Sequence, residues 1–242
     1  MMTMAMTFLI AQAEGASMGG MGQLASFVPF VLIFTIFYFL MIRPQQLRNK
    51  KKFGDKTQEQ IKVIEYFTKE ESWMSKNMTD DVYLAQVKAK RDSLNLKQKA
   101  LDKIGLDEDE VKEIPPAKFE GFVFRDAYAK KRANGDWISS SYQVSWLFFS
   151  ATQVYLYSYT FRMDEDSKAE KTDEYFYKDV TSFSTSSESE EATGTNDKKF
   201  KVESNKFAMR VGGESVYMSM DGVPNAEQII QGMKQKLREK KL

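Results

Sequence analysis

The stretch YQVSWLFFSATQVYLYSYTFRM, residues 142–163, decides the fold class. Tyr142–Ser150 and Gln153–Met163 are each built from aromatic and β-branched side chains. Their period is two, the spacing of pleated strands whose successive residues point to opposite faces. Tyr155, Tyr157, Tyr159 and Phe161 fall on one such face. That ladder reads as a core-facing sheet surface, with a stacking platform for a ligand as the sharper alternative.

Working outward, Phe119–Arg125 and Thr172–Val180 have the same composition, and Ser182–Glu188, Lys199–Ser204, Lys206–Val211 and Ser215–Met220 are shorter strand candidates. Turn residues separate them at Asn134-Gly135-Asp136, Asp164-Glu165-Asp166, Thr193–Asp197 and Gly212-Gly213. Phe207, Met209 and Val211 alternate with Lys206, Ala208 and Arg210, as on a strand with one dry and one wet face. Ser186–Glu191 is acidic and reads as disordered or solvent-facing. A helix follows the strands. Ala226, Ile229, Ile230, Met233 and Leu237 form its apolar stripe, Asn225 is placed to cap it, and Lys234, Lys236, Arg238, Lys240 and Lys241 load its negative end.

Before Pro115-Pro116 the spacing is helical. Ile61, Ile64 and Phe67 recur every three residues. Thr79 is set to cap a second helix with Asp80 and Asp81 in its first turn; Val87, Leu94 and Leu101 repeat at seven, and Gly105 supplies a stop. That stripe either packs on its own domain or pairs two copies as a coiled coil, making the protein a homo-oligomer.

The first 42 residues contain no Lys or Arg and one acid, Glu14, while all 35 basic residues come later. Leu24–Ile42, LASFVPFVLIFTIFYFLMI, is free of charge, and Arg43, Arg48, Lys50, Lys51 and Lys52 follow it. At about 1.5 Å per residue this stretch predicts a membrane-spanning helix over 23–43, with a short extracytoplasmic lead-in over 1–22. The positive flank predicts a cytoplasmic C-terminal bulk and an N-terminus outside. Residues 44–116 then form a basic exit and helical connector, and 117–242 a β domain closed by the final helix.

Two resemblances add to this reading. The apolar run ending Phe39-Leu40-Met41-Ile42-Arg43-Pro44-Gln45-Gln46 resembles the YajC family, auxiliary subunits of the bacterial Sec preprotein translocase. It implies an inner-membrane protein whose partners are the lipid bilayer and membrane protein subunits of the Sec translocon. The contacts it implies are Phe30, Phe34, Phe37, Tyr38, Arg43, Pro44, Gln45 and Gln46. The cytoplasmic part departs from that family: after Gly54-Asp55 the chain continues as helix-like sequence. Strands followed by one amphipathic helix, with Tyr175–Phe183 at a strand junction, look instead like a pleckstrin-homology-like (PH/GRAM-type) domain. The expected fold is therefore membrane-anchored α+β: one transmembrane helix, a helical connector, and a seven- to eight-stranded PH-like β-barrel capped by its C-terminal helix, with a β-sandwich, for which a terminal helix is unusual, as the competing fold.

Composition removes most chemistry. Cys and His are absent, which excludes disulfides, thiolate or imidazole metal sites and histidine-based triads. A formal charge of +1 gives no bulk drive toward nucleic acid. No phosphate-binding glycine motif occurs. Asp164, Asp166, Asp173 and Glu174 lack the spacing of a calcium loop. The expectation is a non-enzymatic protein with no catalytic residue, cofactor or metal, acting through interaction. Lys130, Lys131 and Arg132 are the residues placed to meet anionic lipid, in a membrane-tethered lipid- or protein-binding module.

Overall fold

The computed structural model describes residues 28–38, 53–70, 78–107, 109, 115–220, 223 and 226–241. The chain divides into two compact units, Met1–Asp55 and Lys56–Leu242.

In the first unit, Val28–Phe37 forms helix α1. Pro29 lies in its first turn, where a missing backbone donor costs no intrahelical bond. Ten residues rise roughly 15 Å. Among the described residues no helix is long and apolar enough to cross a membrane. The spanning helix expected over 23–43 is corrected accordingly.

The second unit begins with α2, Gln58–Thr68, started by a capping box: the Gln60 N–H donates to the Thr57 hydroxyl, and the Thr57 N–H donates to the Gln60 side chain. Thr79 caps α3, Asp80–Ser93, by accepting from the Val82 N–H. The heptad stripe does not run along one helix. Asn95 takes a left-handed conformation at φ 42°, and α4, Leu96–Ile104, restarts beyond it and ends at Gly105, φ 75°.

Among the described residues nine strands make two sheets. The first has the order β1-β4-β5-β6, from β1 Ala117–Val123, β4 Ser141–Phe149, β5 Gln153–Arg162 and β6 Lys168–Phe176, all antiparallel. The second has the order β3-β2-β7-β8-β9, from β2 Ala127–Lys131, β3 Trp137–Ser139, β7 Val180–Thr193, β8 Lys199–Val211 and β9 Glu214–Ser219. Its β2–β7 contact is parallel; its other pairings are antiparallel. A final helix, α5, spans Ala226–Lys241.

The barrel expectation is overturned. After β1 the chain leaves the first sheet for two strands, so β1 pairs with β4 and β2 with β7. The two sheets stay separate, with β6 ending one and β3 the other, and no barrel closes. Lys130 and Lys131 end β2, and the turn Asn134-Gly135-Asp136 joins it to β3. The two candidates Lys199–Ser204 and Lys206–Val211 are one strand, β8.

The first sheet is the middle layer. Leu147, Phe149, Val154 and Leu156 on one face meet Phe183, Phe207, Met209 and Met218 of the second sheet, together with Ile230, Met233 and Leu237 of α5. Phe119 and Phe207 stack there with ring centroids 4.3 Å apart. The opposite face, bearing Tyr142, Val144, Phe148, Tyr157, Tyr159 and Phe161, is covered by Phe67, Tyr83, Val87, Leu96 and Leu101. The stripe that suggested an oligomer is thus spent within the chain: Val87 and Leu101 are buried and Leu94 packs against the same core.

Candidate functional site

Helix α1 carries the apolar candidates. Val31, Leu32, Ile33, Phe34 and Ile36 are all more than half exposed, Phe34 the most at 72%. The Thr35 hydroxyl turns back to donate to the Val31 carbonyl at 2.7 Å, so no polar group on this stretch competes for water. Phe30, Phe37 and Tyr38 belong to the same segment; Arg43, Pro44, Gln45 and Gln46 lie outside the described residues.

The basic candidates lie where β2 ends. Lys130 reaches Asp80 of α3 at 3.1 Å and sits over the Tyr66 ring, 4.1 Å from its centroid. Arg132 reaches the same carboxylate at 3.6 Å and Asp136 at 3.7 Å. Tyr66 donates its hydroxyl to Asp80 at 2.6 Å. Burial alone raises the Asp80 carboxyl, but Tyr66, Lys130 and Arg132 together outweigh it and hold the group below the usual carboxylate range. Two of the three basic side chains therefore fasten β2 to the helical layer. Lys131 is exposed and lies 5.9 Å from the centroid of the Trp137 ring.

The tyrosine ladder is a helix-facing surface. Tyr157 donates to Glu170 at 2.8 Å, and Lys99 and Lys103 of α4 reach that carboxylate at 3.1 and 3.0 Å. Lys99 also lies over Tyr159, and Lys90 over Phe161. Burial pulls the Glu170 carboxyl up; Lys103, Tyr157 and Lys99 outweigh it and bring it down to about 2. The acids of the β5–β6 turn are equally engaged. Asp164 is buried and receives two bonds from the Arg162 guanidinium, at 3.1 and 2.9 Å, while Asp166 accepts from Gln60 at 2.7 Å. Among the described residues no group of three carboxylates is arranged to hold a metal ion.

Sequence reasoning missed one polar centre. Glu190, in the stretch that read as solvent-facing, is buried on β7. It accepts from Lys206 at 2.9 Å, from the Phe124 N–H at 3.1 Å and from Ser204 at 3.3 Å. Its partner Lys206 is buried as well, although the alternation with Phe207 and Met209 assigns that lysine to the wet face of the strand.

Two of the open cavities on the second unit lie beside α5 and α2. One, about 670 Å³, runs between β1 and α5 and is lined by Pro116, Trp146, Phe149, Ile229 and Met233 among others. The other, about 630 Å³, is bounded by the C-terminal end of α2, the β2–β3 hairpin and the β7–β8 turn.

Comparison with known proteins places similarity at the N-terminal end. The chain is 51% identical over 49 residues to the Sec translocon accessory complex subunit YajC of Brucella melitensis biotype 1, and equally to those of Brucella suis biovar 1 and Brucella abortus biovar 1. The match covers 20% of this chain and 42% of each relative, so the chain spans less than half the length of the curated relatives it matches. No family model matches the chain. No solved structure matches it, and the pleckstrin-homology-like resemblance gains no support.

Proposed function

We propose that this protein is an accessory component of the inner-membrane protein-translocation machinery, acting by binding rather than by catalysis. The apolar segment around α1 holds it at the bilayer, and the unit Lys56–Leu242 works on the cytoplasmic side. The observation that carries the reading is the 51% identity over 49 residues to a translocon accessory subunit, concentrated where this chain exposes its apolar helix. Physical chemistry points the same way. Five large apolar side chains more than half exposed on one short helix are costly in water. Their transfer into an apolar medium is worth on the order of 5–10 kcal/mol, at about 1.5–3 kcal/mol for each fully buried side chain. The basic residues after position 42 supply the cytoplasmic flank. Partner contact falls on Phe30, Phe34, Phe37 and Tyr38 and on the exit Arg43, Pro44, Gln45 and Gln46, where the amides bond at headgroup level without desolvating a charge.

The test is an exchange of residues 24–46 for an unrelated apolar segment of equal length with the same basic flank. Membrane recovery should persist while co-purification with translocon subunits in mild detergent is lost. Retained co-purification would overturn the proposal. Orientation is checked separately, with a reporter active only in the cytoplasm fused after Leu242; an inactive reporter on a membrane-recovered chain would place the second unit outside.

A further inference from the structure

The cavity bounded by α2, the β2–β3 hairpin and the β7–β8 turn is rich in lysine. Five lysines line it, Lys69, Lys130, Lys131, Lys198 and Lys199, against one acid, Glu70. Three of the five are already paired: Lys69 with Glu65 at 2.7 Å, Lys130 with Asp80 at 3.1 Å and Lys199 with Glu191 at 2.7 Å. Glu70 is turned to the rim, where Asn196 donates to it at 3.1 Å and ties α2 to the β7–β8 turn. Lys131 and Lys198 are exposed, and among the described residues neither has a carboxylate within ion-pair distance. Two uncompensated ammonium groups therefore face one cavity.

Its floor is aromatic. Trp137 and Phe200 stack at 5.1 Å with 29° between their planes, and Tyr66 and Phe67 close the helical side. The wall is closely packed: a Cβ added at Gly194 would lie 2.5 Å from the Phe200 ring, which would have to shift to admit it. The turn then takes two consecutive left-handed residues, Asn196 at φ 58° and Asp197 at φ 56°, immediately before Lys198. This strained turn brings Lys198 to the cavity lining, and the end of β2 brings Lys131 to it.

We infer that this cavity binds an organic phosphate, its anionic group held between Lys131 and Lys198 and its apolar or aromatic body laid on Trp137 and Phe200. Lysine suits the role as a point charge for phosphate, and a volume of about 630 Å³ lies within the usual range for small-ligand sites. The same chemistry is offered by an anionic phospholipid headgroup and by a free aromatic phosphate. The inference rests on the second unit alone and stands apart from the translocon reading, which rests on the first.

The experiment uses the full chain in a neutral detergent. Phenyl phosphate and the short-chain lipid dihexanoyl phosphatidylglycerol are titrated by calorimetry, with dihexanoyl phosphatidylcholine as the zwitterionic control. At least one anionic probe should bind, and binding should weaken as salt rises from roughly 50 to 300 mM. The double variant Lys131→Gln/Lys198→Gln should lose about tenfold or more in affinity with an unchanged melting temperature, since both side chains are exposed. Trp137→Leu should weaken binding of whichever probe the wild type accepts. Lysine-dependent binding of phenyl phosphate alone identifies a free phosphate as the ligand; lysine-dependent binding of the phosphatidylglycerol identifies a lipid. Equal affinity of wild type and double variant for every probe, or no binding of either anion, overturns the inference.

Discussion

Leu147, Phe149, Val154 and Leu156 look into a layer of Phe, Met and Leu side chains. On the opposite face of the same two strands, Tyr142, Tyr157, Tyr159 and Phe161 meet helices that answer with hydroxyl and ammonium groups as well as apolar ones. The dry side is held by apolar area and shape, which salt and pH scarcely touch. The helical side adds directed bonds: Tyr83 to the Ser139 carbonyl at 2.6 Å, Arg91 to Glu120 at 3.1 Å and Lys90 to the Arg162 carbonyl at 2.7 Å. These fix where the helices sit, because each is satisfied in one position only. One sheet thus anchors an apolar core on one face and fixes the position of a helical layer on the other.

Four measurements test this contrast between the two faces. Removing the helices altogether, by deleting 56–107, strips cover from Phe148, Tyr157 and Tyr159, all nearly fully buried. The remaining strands should then show no cooperative thermal transition; a sharp transition would mean that the dry face suffices. Phe207→Ala empties the stacked pair at the centre of the dry face and should cost about 3–5 kcal/mol in urea unfolding, with little dependence on salt. Tyr83→Phe leaves the ring in place but orphans the buried Ser139 carbonyl, so a loss of about 1–3 kcal/mol is expected, again by urea unfolding.

The smallest effect is the most diagnostic. Glu170 is bound by Tyr157, Lys99 and Lys103, and its folded-state value of about 2 lies below that of an unfolded glutamate. A depressed carboxylate stabilises the fold above its unfolded value, roughly 4.3, and that contribution disappears as pH falls toward the folded value. Glu170→Gln should therefore cost about 1 kcal/mol near neutral pH after solvent screening. The gap from wild type should close between about pH 4.3 and 2, as followed by unfolding across that range. A gap that stays constant through acid would show that the helices are held by shape alone.

Much of the strand order was legible because the residues involved obey one local rule. Gln153–Met163 alternates, and the structure places β5 at Gln153–Arg162; Tyr142–Ser150 becomes β4 at Ser141–Phe149. Thr79 and Gly105 act as written, since caps depend on neighbours within four residues. Local rules stop at pairing. Ala127–Lys131 and Trp137–Ser139 are short and carry Lys, Lys and Ser, so nothing in their own composition announces strands; β2 exists because Ala127 and Tyr128 meet Ala192 and Thr193 far along the chain. The same distance hid the closure of the fold. A terminal helix is unusual for a β-sandwich, so the order of elements along the chain favours a barrel, and only the long-range pairing into two separate strand orders shows otherwise. The site residues divide in the same way. Lys130 and Arg132 were legible as basic but not as partners of Asp80, some fifty residues earlier, and Lys198 gave no sign of sharing a cavity with Lys131.

The position of α5 in chain order has a consequence for biogenesis. Ile230, Met233 and Leu237 complete the apolar layer between the sheets, yet they follow every strand they cover. During synthesis, Phe207, Met209 and Met218 emerge from the ribosome with part of their burial still untranslated. The nascent chain must therefore hold greasy, strand-forming sequence in the open until the helix arrives, the interval in which edge-to-edge association competes with folding. Slowing elongation just before codon 226 should lengthen that interval and raise the burden on chaperones, whereas the helical layer, made of earlier residues, would already be waiting.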